Sequence, residues 1–259
     1  MINSWLSLPL PGMIASLAGF YLASALLLIW LSFGRSTGLW VQRFKGVVAP
    51  FPSATMVLLA ILVGFLGNDV SERNRRAAAA VQSESQALTT LYVLVSTSGL
   101  PTHDMAQNIR DYVTAVVNKE WPSMAEGQSA PEAELALDSL LETVAKVTPG
   151  TASNGTLDRI LLDTALRIRA ARAERLALSS DYASSLKWSC VLVLALMGQI
   201  SLVVVHLERP RPQIAALAIF TTSIVVVIAQ IATYESPFEP PIYIPPDPIA
   251  QVLKSLPDV

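Results

Sequence analysis

The chain has 259 residues, of which 52% are hydrophobic and 15% charged, with a formal net charge of −2 and a mean hydropathy of +0.48. Soluble domains carry about a quarter charged residues, so this composition excludes an ordinary water-soluble globule and points to lipid. The near-neutral charge, with no basic stripe interleaved with aromatics, excludes a nucleic-acid binder, and the single cysteine, Cys190, excludes an intramolecular disulfide framework.

The first apolar run is Gly12 to Phe33, without a charge. At ~1.5 Å per residue it is long enough for the ~30 Å hydrocarbon core. No basic segment precedes it and its apolar stretch exceeds that of a signal peptide, so it is expected to stay as a membrane anchor. A linker with Arg35, Arg43 and Lys45 leads to a second run, Val47 to Gly67, which Pro50 and Pro52 suit at its start. Beyond it, NDVSERNRRAAAAVQSESQALTTLYVLV carries good helix formers out of the membrane, and no Gly or Pro intervenes until Gly99 and Pro101. One helix is predicted from Pro52 to Ser96.

The middle region is helical by periodicity. A helix from Leu100-Pro101-Thr102 carries Ile109, Tyr112, Val113, Val116 and Val117 on one face, and is expected to end at Trp121-Pro122, because proline pushes its predecessor out of the helical region. A second spans Pro131 to Val147, with Leu137, Leu140, Leu141 and Val144, and a loop follows from Pro149 to Gly155. From Leu157 a pattern of Leu161, Thr164, Ile168, Ala171, Leu178 and Tyr182 runs into the third apolar run, Leu186 to Val205. Together they predict a helix of ~50 residues and ~75 Å. Its face Leu157/Leu161/Ile168 is expected to lie open in a lone chain and to mark an interface. The fourth run is Gln213 to Thr233, and the tail is extended by its prolines until Asp247-Pro248, read as N-cap and first position of a short helix with Ile249, Val252, Leu253 and Leu256.

The predicted fold class is an all-α membrane protein: four transmembrane helices, with long helices extending into a helical cytosolic region. Its segments are 1–68 (transmembrane helices 1 and 2), 69–185 (helical cytosolic region), 186–235 (transmembrane helices 3 and 4) and 236–259 (proline-rich tail). Four spans put both termini and the middle region on one side. The two short loops carry five basic residues (Arg35, Arg43, Lys45, Arg209, Arg211), and the flanks of the middle region carry seven (Arg73, Arg75, Arg76, Arg169, Arg172, Arg175, Lys187). With a long insertion, that balance by itself does not orient the chain.

Motifs for chemistry are sparse. His103 and His206 lack acidic or cysteine companions at ligand spacing, so no metal or cofactor is expected. Ser184-Ser185-Leu186-Lys187 has a serine–lysine spacing without companion motifs, and Lys187 reads as an interfacial anchor. Asn154-Gly155-Thr156 is a formal glycosylation acceptor but reads as a helix-capping loop. The spans contain only mild polar residues, Gln199, Ser201, Thr221, Thr222, Ser223 and Gln230, which suit interhelical hydrogen bonds and not an ion-coupled relay. The chain is not expected to be an enzyme.

The most informative segment ends the second span: Leu62-Val63-Gly64-Phe65-Leu66-Gly67-Asn68, followed by Arg73. Here the sequence resembles the bestrophin-like family of bacterial membrane proteins. Ser236-Pro237-Phe238 and Ile244-Pro245-Pro246-Asp247-Pro248 look like the end of that domain, while Asn74 and Arg75 stand where true bestrophins carry paired tryptophans. The resemblance implies a homo-oligomeric ring, a pentamer, multi-pass in the bacterial inner (plasma) membrane with termini and middle region cytosolic. It implies that the second span lines a pore for inorganic anions, with Phe65 in the pore motif. Val57 and Ile61 share its helical face and would complete an apolar neck, while Arg73 and Arg76 would attract anions at the mouth. Arg73 and Arg76 are otherwise expected to pair in part with Asp69 and Glu72. The alternative function is a non-conducting membrane scaffold or sensor coupling the membrane to a cytosolic partner.

Overall fold

The computed structural model describes residues 2–6, 8–34, 41–44, 46–47, 50–98, 102–125, 127–147, 155–180, 185–240 and 242–256. The helices are α1 (Ile2–Leu6), α2 (Leu10–Phe33), α3 (Ser53–Thr97), α4 (Thr102–Ala115), α5 (Trp121–Met124), α6 (Pro131–Val147), α7 (Gly155–Ser180), α8 (Ser185–Val205), α9 (Pro210–Thr233) and α10 (Asp247–Ala250). No strand occurs among the described residues. The protein is an all-helical membrane protein, with four helices among the described residues long and apolar enough to cross a bilayer. Arg35, Lys45, Pro149, Asn154, Tyr182 and Ser184 lie outside the described residues, as does the expected continuity between α7 and α8.

The chain divides into two compact units, Met1–Ser71 with Tyr182–Glu235, and Glu72–Asp181 with Ser236–Val259. The 45-residue α3 contributes to both and is unbroken, as its run of helix formers predicts.

The first unit holds the apolar runs. Pro11 lies in the first turn of α2, and Pro210 opens α9, where a missing N–H costs least. Leu17, Tyr21, Leu59, Leu66, Trp188, Val191 and Ile228 form its core. Polar side chains fasten α2, α8 and α9 together. Buried Gln199 accepts from the Ser24 hydroxyl (2.5 Å) and donates to the Tyr21 carbonyl (3.1 Å) and to Thr221 Oγ1 (2.8 Å). Gln213 donates to Ser32 Oγ (3.3 Å) and to the Val203 carbonyl (3.2 Å). Each such bond contributes about 0.6 kcal/mol in a membrane. Ser223 instead donates to the Ile219 carbonyl of its own helix.

The second unit packs its core around Leu88, Ile109, Tyr112, Val116, Leu140, Leu161 and Ile168, closed by tail residues Phe238, Ile249, Val252 and Leu256. Three expectations change here. Leu161 and Ile168 are buried within the chain's own unit and are not left open for a second copy. The helix does not stop at Trp121-Pro122. It runs on to Met124 through a π turn, Val116–Glu120, in which the Trp121 N–H bonds the Val116 carbonyl five residues back. A proline ring clashes with the carbonyl four residues before it, and widening the preceding turn moves that carbonyl out of register. At the tail, Pro246 takes the N-cap position, while Asp247 and Pro248 are already helical, with no side-chain cap.

Candidate functional site

Two arrangements of side chains stand out. The first is a stripe on the membrane-embedded part of α3. Val57, Ile61 and Phe65 are 56%, 48% and 61% exposed, whereas Leu59 is 5% exposed. Helical spacing accounts for this. Residues four apart lie ~40° apart around the axis and ~6 Å along it, so the three form one slowly turning stripe ~12 Å long. Leu59 points away from its centre and packs with Leu66 and Val70 into the core of the first unit. Nothing polar interrupts the stripe.

Arg76, exposed, lies ~20° around the helix from Phe65 and prolongs that line beyond the apolar segment. Arg73 turns ~80° from Phe65 and is only 5% exposed. Of the expected acidic neighbours, Glu72 pairs with Arg75 at 2.6 Å, and Asp69 with Lys187. Asp69 and Lys187 come from α3 and α8, 118 residues apart, and tie the two helices together.

The second arrangement is a buried charge network in the second unit that the sequence reading did not find. Arg175 of α7 donates from Nε and Nη2 to the two oxygens of Glu84 on α3 (2.8 and 3.0 Å), and from Nη2 to Glu120 Oε1 (2.8 Å). Arg172, one helical turn earlier, grips Glu120 at 2.5 Å. The Tyr112 hydroxyl donates to Glu84 Oε1 at 2.6 Å, and the Arg175 guanidinium lies 5.2 Å from the centre of the Trp121 ring. Glu120 ends the π turn, so the widened turn aims this carboxylate inward. Two glutamates and two arginines leave the cluster neutral, which is how charges survive burial.

Burial alone would lower the Arg175 pKa, but Glu84, Tyr112 and Glu120 outweigh it, and the guanidinium is held above its ordinary value. Burial first, and then the Glu84 carboxylate, push the Tyr112 phenol well above its ordinary 10.0. The cluster ties Glu84 of α3, Tyr112 and Glu120 of the helix that runs on from α4, and Arg172 and Arg175 of α7 to one another, and acts as an anchor. One signal pointed to it. Arg172 and Arg175 fall on the same helical stripe as buried Leu161, Thr164, Ile168 and Leu178, where a solvated charge does not belong.

The family profile described as the Bestrophin-like domain matches residues 19–249. The fold is similar to that of a bacterial bestrophin homolog from Klebsiella pneumoniae. Two of its crystal structures, each of a singly substituted protein, have TM-scores of 0.70 and 0.69 at 12% identity, covering 94% of this chain and 97% of that one. A crystal structure described only as a substituted membrane protein is similar at a TM-score of 0.72, 12% identity and the same coverage. No curated protein matches the sequence significantly.

Proposed function

Because the chain belongs to the bestrophin-like domain family, we propose that it is a passive anion channel, assembled as a homo-oligomeric ring with α3 of each copy facing the axis. The observation that carries this reading is the exposed stripe Val57/Ile61/Phe65, set against the buried Leu59 on the same helix. Such an apolar line can face lipid tails or a second copy of the chain, and the family resemblance supports the second. In a ring of copies, a pentamer by family resemblance, the line becomes three stacked collars. An ion crossing them sheds water without polar compensation, so the neck forms the main barrier and gates by dewetting.

Arg76, exposed at the end of the stripe, raises the local anion concentration at the mouth, and the Arg73 charge adds to the same field. No catalytic step or cofactor is involved. The protein sits in the bacterial inner membrane, with segment 69–185, the tail 236–259 and both termini in the cytosol, and spans at 1–68 and 186–235.

Liposomes holding purified protein test the reading directly. Chloride efflux above that of empty vesicles, abolished by an impermeant anion in its place, is the expected result. An assembled protein that passes no anion would favour the scaffold function instead.

A further inference from the structure

Two apolar surfaces of the second unit are left uncovered by the chain itself. Leu135 of α6 is 68% exposed. On α7, Leu162, Leu166, Ala170, Ala173 and Ala177 are all exposed. They lie ~140–180° around the helix from buried Arg175 and make one stripe ~22 Å long. The stripe therefore faces away from the charge network, on the opposite side of α7 from Leu161 and Ile168. Lipid does not suit either surface, because both have charged margins. Arg159, Asp163, Arg167, Arg169 and Glu174 are exposed on α7, and Glu132, Glu134, Asp138 and Glu142 on α6.

The charges indicate what fits the stripe. On α6, Glu142 is paired with Lys146, which leaves Glu132, Glu134 and Asp138 around Leu135 without an ion pair among the described residues. On α7, Asp163 is paired with Arg167, which leaves Arg169 at one edge of the stripe and Arg159 at its end without one. Glu174 lies ~140° around the helix from Arg169, on the far edge. A leucine ringed by carboxylates thus complements a stripe of small apolar side chains edged by arginine, whereas two α6 faces would repel each other.

The two surfaces are also level with each other. A Cβ on Gly127 would lie 3.9 Å from Ser180, the last residue of α7, and α6 begins four residues after Gly127. The first turns of α6 therefore stand beside the last turns of α7, and the two helices run antiparallel. Leu135 comes level with the alanine end of the stripe, and Asp138, one turn on, with Arg169. Copies in a closed ring stand at one height along its axis, and two different patches meeting head to tail generate such a ring.

We propose that α6 of one copy docks on α7 of the next, with Leu135 seated among Ala170, Ala173 and Ala177 and Asp138 paired with Arg169. This rests on the homo-oligomeric ring of the proposed function, but not on its conducting ions.

Two differently tagged chains are coexpressed in a Cys190→Ser background, one with Leu135→Cys and the other with Ala173→Cys, and the membranes are oxidised. A disulfide-linked dimer carrying both tags is expected, and neither variant expressed alone should link to itself. A dimer of Ala173→Cys alone would mean that α7 packs on α7, and overturns the proposal. So does the absence of a mixed dimer when light scattering shows the wild type assembled. A wild-type mass of one 27.8 kDa chain overturns the interface and the ring together. Charge gives a second arm. Asp138→Arg should lower the assembled fraction roughly tenfold, and adding Arg169→Asp should restore it. An unchanged fraction in Asp138→Arg, or a double variant no better than the single one, overturns the pairing. Chloride efflux is measured separately, and linked chains that pass no anion would remove the channel while leaving this interface in place.

Discussion

Glu84 and Arg175 meet as a bidentate pair at 2.8 and 3.0 Å across 91 residues of chain, both fully buried. Such a pair is not in itself a large source of stability, but removing one partner strands a buried charge at about 3–5 kcal/mol. Arg175→Met should therefore lower the thermal midpoint of the purified protein sharply. Adding Glu84→Gln should recover much of that loss, since Arg172 still compensates Glu120. Thermal unfolding followed by circular dichroism measures both, and a double variant no better than the single one would show that the Glu84 charge is not what costs.

Tyr112 makes a pH prediction with a definite sign. Its pKa is raised in the folded state, so above pH 10.0 the native protein holds a proton that the unfolded chain releases. Its contribution is fully present below that pH and is lost as pH rises towards the folded value, with a limiting slope of about 1.4 kcal/mol per unit. Tyr112→Phe should flatten that alkaline slope relative to wild type, at a cost of about 1–3 kcal/mol near neutrality for the lost hydrogen bond. Matched unfolding curves between pH 8 and 11 decide it, and identical slopes would count against the assignment.

Gly198 of α8 packs tightly against Phe220 of α9. A Cβ there would lie 2.7 Å from Phe220 Cζ and 3.4 Å from Met56 Cε. Gly198→Ala should destabilise the detergent-solubilised protein by about 1–3 kcal/mol through overpacking. Shortening the obstructing ring with Phe220→Leu should restore part of it. Size-exclusion profiles after graded heating give the comparison, and a harmless Gly198→Ala would mean that the ring moves aside freely.

The sequence shows the membrane architecture well because lipid imposes long apolar runs, and α3 is legible as one helix because no Gly or Pro interrupts it between Asn68 and Ser98. Tertiary ties were harder to see. Glu84 and Glu120 lie 91 and 55 residues from Arg175, and charge on a helix is ordinarily solvated, so the inward stripe position of Arg172 and Arg175 was the only clue. The π turn escaped for a related reason. Locally, Trp121-Pro122 favours a stop, and only the buried Glu120 contacts show why the helix continues. An apolar face such as Leu161/Ile168 is visible in sequence, but what covers it depends on the rest of the chain.

The neck itself yields the most exposed prediction. In a ring, Val57, Ile61 and Phe65 form collars, and the widest loss of hydrocarbon follows from truncating the two bulkiest. Ile61→Ala with Phe65→Ala should raise anion flux through assembled protein, since a wider neck holds water more readily and the dewetting barrier falls. These side chains are exposed in the single chain, so the substitutions should leave its own packing nearly intact. Leu59 supplies the contrast. Leu59→Ala removes a buried side chain and should cost about 2–5 kcal/mol of stability, yet leave flux per assembled ring unchanged because it faces away from the axis. Liposome flux normalised to assembled protein separates the two effects. Equal flux in wild type and the Ile61/Phe65 double variant, or altered flux in Leu59→Ala alone, would place the permeation path elsewhere.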